Sequence, residues 1–386
     1  MDMLVSNSSS SHSALNATSE SFLFYSDTSS VRSKGIKTLF TTPVNDNHFQ
    51  NKLQELFQRE RLAGNESPIV VGAIPFDLGQ PCHLIVPEWS STQKTPTFDI
   101  TRFNDKSFVN YVKNYYYIPE YDYFIAGVKE VLSHCKGQDL DKVVLSRLLD
   151  IEFNTALDID RLMSNIMAQN PNAFHFRVPL KNGVLLGASP ELLLRKEGAN
   201  IYSNPLAGSA NRSQDPKEDQ AIADALSVSE KDLYEHRLVV DSIRSALKGF
   251  VKNDRIPHVP SLIHTPTMWH LSTQIKEELN DSNTCLFELI KALHPTPAMG
   301  GTPKDTAMSV IQAIEPYQRR FFSGLVGWCD DQGNGEWAVA IRCAHVSGTK
   351  ARLFAGAGIV SGSDPYKEWK ETGDKMRTML NAFGVR

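Results

Sequence analysis

Apolar positions along the chain follow two different spacings, and together they predict a mixture of strands and helices. Ile69-Val70-Val71-Gly72-Ala73-Ile74 is a short continuous apolar run, the pattern of a buried strand. Val143-Val144-Leu145-Ser146-Arg147-Leu148-Leu149 follows Lys142 in the same manner, and Phe174-His175-Phe176-Arg177-Val178 alternates with period two. Val184-Leu185-Leu186-Gly187 and Leu192-Leu193-Leu194-Arg195 flank Ala188-Ser189-Pro190-Glu191. Strand patterns return over 268–275, 322–329, 336–344 and 352–360. Helical spacing predicts a helix over 119–136, a long helical stretch over roughly 216–250 and a last helix over 365–383. Asp364 suits the N-cap of the last one and Pro365 its first turn. No repeat or linker interrupts the series, so the reading is an α+β fold in one large unit, residues 21–386, behind a mobile polar tail over residues 1–20.

Composition narrows the class without naming an activity. Of 386 residues, 41% are hydrophobic and 22% charged, ordinary values for a globular chain able to bury a large core. A net charge of -4 offers no basic field, so no nucleic-acid partner is expected. No apolar stretch of about 18 residues predicts a membrane span, and the serine-rich start lacks the basic-then-apolar pattern of a signal peptide. Cys82, Cys135, Cys285, Cys329 and Cys343 are odd in number and scattered, which fits a reducing cytoplasm better than a disulfide framework or a zinc site. The eleven histidines show no metal-ligand spacing and read mostly as surface or polar structural residues. P-loop, nucleophile-elbow, zincin and dinucleotide fingerprints are absent.

Several charged residues stand where apolar surroundings make them costly. Glu368, Glu371 and Lys375 share one face of the last helix. That face is either a solvated salt-bridge stripe or part of a site, and the preceding Ala355-Gly356-Ala357-Gly358 favours a site, since glycines let backbone amides approach a ligand. Glu235 neighbours Leu238 and Val239 and needs a partner, an arginine or a metal cation. Lys142 is a strand-end lysine or a general base; as a base its pKa must fall by about three, at a cost of about 4 kcal/mol. Glu191 is a turn residue or a general acid kept protonated by burial. Arg342, read as lying inside an apolar strand, is a buried ion pair or a clamp on a substrate carboxylate.

Taken in order, these segments resemble the chorismate-utilising enzyme family. The matching strings run from Lys142-Val143-Val144-Leu145-Ser146-Arg147 through Gly187-Ala188-Ser189-Pro190-Glu191, Pro205-Leu206-Ala207-Gly208-Ser209 and Glu235-His236. They continue through His294-Pro295-Thr296-Pro297-Ala298-Met299-Gly300-Gly301, Ile341-Arg342, Ala355-Gly356-Ala357-Gly358 and Glu368-x-x-Glu371-x-x-x-Lys375. The resemblance covers roughly residues 120–386; the first hundred residues match no named motif. Within the family it is closest to the isochorismate synthases of catecholate siderophore pathways. Members that use ammonia, such as anthranilate synthase, carry glutamine where this chain has Lys142, and aminodeoxychorismate synthases carry lysine where it has Ala207.

The resemblance implies a fold of two packed, mainly antiparallel sheets with helices outside, like anthranilate synthase component I. It also implies a reaction: magnesium-dependent isomerisation of chorismate to isochorismate, by water attack at ring carbon 2 and loss of the hydroxyl at carbon 4. Lys142 would be the base and Glu191 the acid. Glu235 and Glu371, with Glu368 nearby or acting through water, would hold Mg2+. Gly208, Ser209, Ala298, Arg342, Gly356 and Lys375 would hold the substrate. No redox cofactor is required. The implied protein is a cytoplasmic monomer supplying 2,3-dihydroxybenzoate synthesis, with an isochorismatase downstream. The alternatives are a salicylate synthase, which also eliminates pyruvate, and a non-catalytic chorismate-binding homologue.

Overall fold

The computed structural model describes residues 21–94 and 109–385. The polar tail expected over residues 1–20 lies outside the described residues.

In chain order the elements are β1 (Phe22–Tyr25), β2 (Ser29–Lys34), β3 (Thr38–Phe40), α1 (Phe49–Leu62), β4 (Ile69–Ile74), β5 (His83–Val86), β6 (Trp89–Lys94), β7 (Val112–Ile118), α2 (Tyr121–Gly137), β8 (Lys142–Phe153) and α3 (Ile159–Gln169). The middle of the chain supplies β9 (Phe174–Leu180), β10 (Gly183–Ser189), β11 (Leu192–Glu197), β12 (Asn200–Asn204), β13 (Leu206–Asn211), α4 (Pro216–Ser227) and α5 (Glu230–Leu247). The rest are β14 (Ser261–His264), β15 (Met268–Ser272), β16 (Ile275–Glu278), α6 (Leu286–Leu293), β17 (Gly301–Thr302), α7 (Lys304–Ile314), β18 (Leu325–Asp330), β19 (Gly335–Val339), β20 (Cys343–Ser347), β21 (Lys350–Val360) and α8 (Pro365–Ala382).

A ten-stranded sheet runs β17-β8-β21-β20-β10-β9-β1-β2-β6, with β7 also on β8, and an eight-stranded sheet runs β16-β12-β11-β19-β18-β4-β5-β3. A small third sheet is β13-β15-β14. Phe24, Val71, Phe176, Val178, Leu185, Val326 and Ala338 form an apolar layer drawn from both large sheets. Alternation decides this: on a strand every second side chain faces the partner sheet. A second apolar cluster joins the ten-stranded sheet to α3 and α8 through Leu162, Ile166, Met376 and Met379, and a third joins α1, α5, α6 and α7 to the sheets. The two-sheet α+β architecture with outer helices is therefore as expected. The first hundred residues, unassigned from sequence, add β1, β2 and β6 to one large sheet and β3, β4 and β5 to the other.

Four expected boundaries differ, each for a local reason. The helical stretch over 216–250 is two helices, because Ser229 caps α5 by accepting from the Asp232 N–H and ends the first helix. The strand pattern over 268–275 divides between β15 in the small sheet and β16 in the eight-stranded one. The pattern over 322–329 starts late, at Leu325, behind a turn in which Arg320 and Ser323 take left-handed φ values of 52° and 56°. The apolar run over 336–344 is likewise interrupted: β19 belongs to the eight-stranded sheet and β20 to the ten-stranded one. Arg342, expected inside a strand, sits at that crossing with φ 49°.

Candidate active site

Two crossings between the large sheets build one wall of a cleft. The chain passes from β10 to β11 through Pro190-Glu191, and from β19 to β20 through Ala340-Ile341-Arg342. Gly187 pairs with Cys343 on one side and Leu192 with Ala338 on the other, so the two crossings lie side by side. Backbone bonds tie them together: Val339 N–H donates to Glu191 O (3.0 Å) and Ala188 N–H to Arg342 O (3.1 Å). Glu191 and Arg342 both line the resulting cleft of about 560 Å³. Burial raises the Glu191 pKa to about 7, against the lowering influence of a backbone bond from Leu206 and the charges of Lys142, Arg342 and Lys375. Burial lowers the Arg342 pKa to about 10, with Glu371 and Glu191 opposing, so the guanidinium keeps its charge near neutrality.

The opposite side is an alternating cluster of lysines and carboxylates from β8, α5 and α8. β8 and β21 pair from Lys142↔Val360 to Glu152↔Lys350, which sets Lys142 at the sheet end that leads into α8. Lys142, 1% exposed, places its Nζ 2.8 Å from Glu235 Oε1. Burial disfavours the Glu235 charge, but Lys142, Lys231 and Lys375 outweigh it and lower its pKa. Asp364 caps α8 by accepting from the Lys367 N–H, which fixes the helix start and faces Glu368 and Glu371 inward. Lys375 Nζ lies 2.6 Å from Glu371 Oε1 and donates to Gly356 O at 2.8 Å. Lys231 Nζ lies 3.0 Å from Glu368 Oε1; burial opposes its charge, yet Glu368 and Glu235 raise its pKa overall.

Between these walls stand small residues and neutral donors. A bulge between Leu206 and Ser209 puts Gly208 at φ 78°, where a Cβ would lie 3.0 Å from that of Asp232 on α5. The bulge turns Ser209 into the cleft, and its Oγ donates to Glu371 Oε1 at 3.4 Å. Ala298 and Gly356 line the same space. So do His270, Phe322 and Phe354, which the sequence reading did not single out. His270 is buried, with Nε2 unbonded among the described residues, and burial followed by Arg342 and Lys375 holds it neutral. Its signal was positional: on β15 it alternates in phase with buried Met268 and Ser272. Lys231 was equally legible, since it lies one helical turn before Glu235 on α5.

The carboxylate cluster suits a small divalent cation. Among the described residues Glu368 Oε2 is buried with no hydrogen-bond partner, and burial with the adjacent Glu371 charge pushes the Glu368 pKa up to about 7. An added positive charge relieves both. Among the described residues no three His, Cys, Asp or Glu side chains converge into a complete ligand set. A cation here would therefore take its other ligands from water or a bound oxygen-rich molecule, the habit of magnesium.

Of the residues singled out from sequence, Glu191, Ser209, Ala298, Arg342 and Gly356 line the cleft itself. Lys142, Glu235, Glu368, Glu371 and Lys375 form the polar cluster joined to it through Ser209 and Gly356, with Gly208 behind the bulge. The partner of Glu235 is a lysine rather than an arginine, and Glu368 is buried rather than on a solvated stripe.

Comparison with known proteins adds a family. Residues 49–384 match the model of the chorismate binding enzymes. Isochorismate synthase EntC of Escherichia coli strain K12 is 44% identical, over 94% of this chain and 95% of its own. Isochorismate synthase DhbC of Bacillus subtilis strain 168 is 43% identical, over 86% of this chain and 85% of its own. The solved structure of DhbC from Bacillus anthracis, assigned as a 2,3-dihydroxybenzoate-specific isochorismate synthase, superposes with a TM-score of 0.89 at 40% identity, over 95% of this chain and 97% of that one.

Proposed function

The chain belongs to the chorismate-binding enzyme family, and we propose that it is the isochorismate synthase of a 2,3-dihydroxybenzoate route. The observation that carries this reading is Glu191, a buried carboxyl that keeps its proton up to about pH 7, in one cleft with the buried cation Arg342 and within reach of the Lys142 charge. Chorismate is a ring dicarboxylate, and the cleft with the polar cluster joined to it offers cations and backbone amides for its acid groups, with an acid and a base for its hydroxyl chemistry.

In this reading Lys142, once it has released its own proton from the Glu235 ion pair, takes a proton from the water that attacks ring carbon 2. The two ring double bonds shift, and the hydroxyl leaves carbon 4 with the proton of Glu191. One water enters and one departs, so the change is an isomerisation with no oxidant or reductant. Arg342 and Lys375 oppose the substrate carboxylates, Ser209 and the backbone at Gly208 and Gly356 orient them, and Ala298 leaves room for the ring. Glu235 and Glu371, with Glu368 beside them, would hold Mg2+, whose charge when bound would neutralise the ring carboxylate. Buried neutral His270 is suited to hydrogen-bond a substrate hydroxyl.

The five cysteines are all free thiols, as in a cytoplasmic protein. The proposed setting is a cytoplasmic monomer whose product passes to an isochorismatase. The test is product identification after incubating the chain with chorismate and Mg2+: isochorismate without pyruvate is expected. Stoichiometric pyruvate would indicate a salicylate synthase, and unchanged chorismate a non-catalytic homologue.

A further inference from the structure

A second cleft, open over about 1320 Å³, lies directly behind the catalytic one and shares two of its side chains, Phe322 and Phe354. Those rings stack with centroids 4.9 Å apart and an interplanar angle of 10°, so they form a partition with one cleft on each side. The floor of the second cleft is apolar, from Leu148, Leu185 and Phe321 along with the partition. Its rim is cationic: Lys181, Arg320 and Arg352 line it, and among the described residues no aspartate or glutamate does. Arg352 is engaged by Asp150 through two bonds of 2.6 Å, whereas Lys181 and Arg320 are exposed and form no ion pair among the described residues. Arg320 is held at the rim in the left-handed region, with its carbonyl accepting from Phe76 N–H at 2.8 Å. A non-glycine residue there costs about 1 kcal/mol.

We propose that this second cleft is a binding site for a ring-bearing carboxylate, the anion meeting Lys181 and Arg320 while the ring lies on Phe321 and the Phe322–Phe354 partition. A flat apolar floor selects a ring, and two unpaired cations select an anion, so the site favours the pair over either alone. Two sources share that chemistry: the enzyme's own substrate, captured before it enters, or an aromatic acid made from its product. The choice of ring rests on the proposed reaction, but occupancy of the site does not require turnover.

The experiment is calorimetric titration with benzoate of the wild type, the Arg342→Ala variant, which disables the catalytic cleft, and the Lys181→Ala/Arg320→Ala double variant. Benzoate affinity is expected to stay within threefold in Arg342→Ala and to fall at least tenfold in the double variant, with inorganic phosphate at least tenfold weaker than benzoate on the wild type. Loss of all binding in Arg342→Ala, unchanged binding in the double variant, or phosphate binding as tightly as benzoate would each overturn the proposal. On Arg342→Ala, displacement of benzoate by chorismate supports the substrate as occupant, and displacement by hydroxybenzoate but not chorismate supports an aromatic acid. Displacement by neither counts against the site. Because turnover is assayed separately, a failed isomerase assay and a failed titration remain distinguishable.

Discussion

Burial decides the chemistry available to single residues here, and Glu191 shows it most clearly. Its pKa of about 7 lies above the usual 4.5, so the folded chain retains a proton that the unfolded chain releases between those values. The folded state is therefore favoured at low pH by this group and loses that advantage as pH rises through about 7. Glu191→Gln is expected to be more stable than the wild type at pH 8.5, by on the order of 2 kcal/mol in urea denaturation, while losing at least 100-fold in isochorismate formation. Equal stability of the two proteins at that pH would mean that Glu191 is not a costly buried charge. With Glu191 as the proposed acid, kcat/KM should decline above about pH 7, as Glu191 ionises and can no longer protonate the departing hydroxyl. A profile flat to pH 9 would remove Glu191 from the role of acid. At the proposed metal site, Glu371→Gln is expected to raise the Mg2+ concentration for half-maximal activity at least tenfold, and an unchanged titration would remove Glu371 as a ligand. Much at this scale was legible, because charged residues in apolar runs are expensive and so announce a purpose. His270 showed only its alternation with buried neighbours and Phe322 showed nothing, since a histidine or phenylalanine in a strand has no such cost until the cleft beside it is known.

Elements carry the site by where they end. α8 delivers Glu368 and Glu371 and is locked to β8 by Arg147, whose guanidinium lies 3.5 Å from the Trp369 ring and donates to Thr372 Oγ1 and Trp369 O. Thr372→Val leaves the Arg147 Nε buried without its acceptor, and a loss of roughly 1–3 kcal/mol is expected in thermal or denaturant unfolding. No change would mean that the lock is dispensable. β21 contributes by closeness: a Cβ at Gly358 would lie 2.2 Å from Glu235 Oε1 and 2.9 Å from Lys142 Cε. Gly358→Ala is expected to fold with native circular dichroism yet lose more than tenfold in kcat/KM, and full activity would show that the Lys142–Glu235 pair can shift freely. Periodicity revealed most of these elements, including the cap and first turn of α8. It missed the breaks at Val228–Ser229 and Ala340–Arg342, where the apolar pattern continues across a change of helix or sheet. Hydrophobicity records that a position is buried and is silent on which sheet buries it.

For the whole molecule, the two crossings matter most. They bring Glu191, from the middle of the chain, next to Arg342, about 150 residues later in sequence, as one wall of the cleft. No local pattern encodes that meeting, so from sequence it could be expected only through resemblance to a family. The N-terminal strands, silent as motifs, extend both sheets. The central claim is that Lys142 delivers water to one ring position as Glu191 removes hydroxyl from another. It is tested most directly by running the reaction with chorismate and Mg2+ in 18O-enriched water and analysing the product by mass spectrometry at low conversion. The account predicts isochorismate carrying one solvent-derived oxygen, in its new hydroxyl at carbon 2, and no label above background with Lys142→Ala because turnover is lost. Unlabelled isochorismate, or undiminished labelled product from Lys142→Ala, would contradict it.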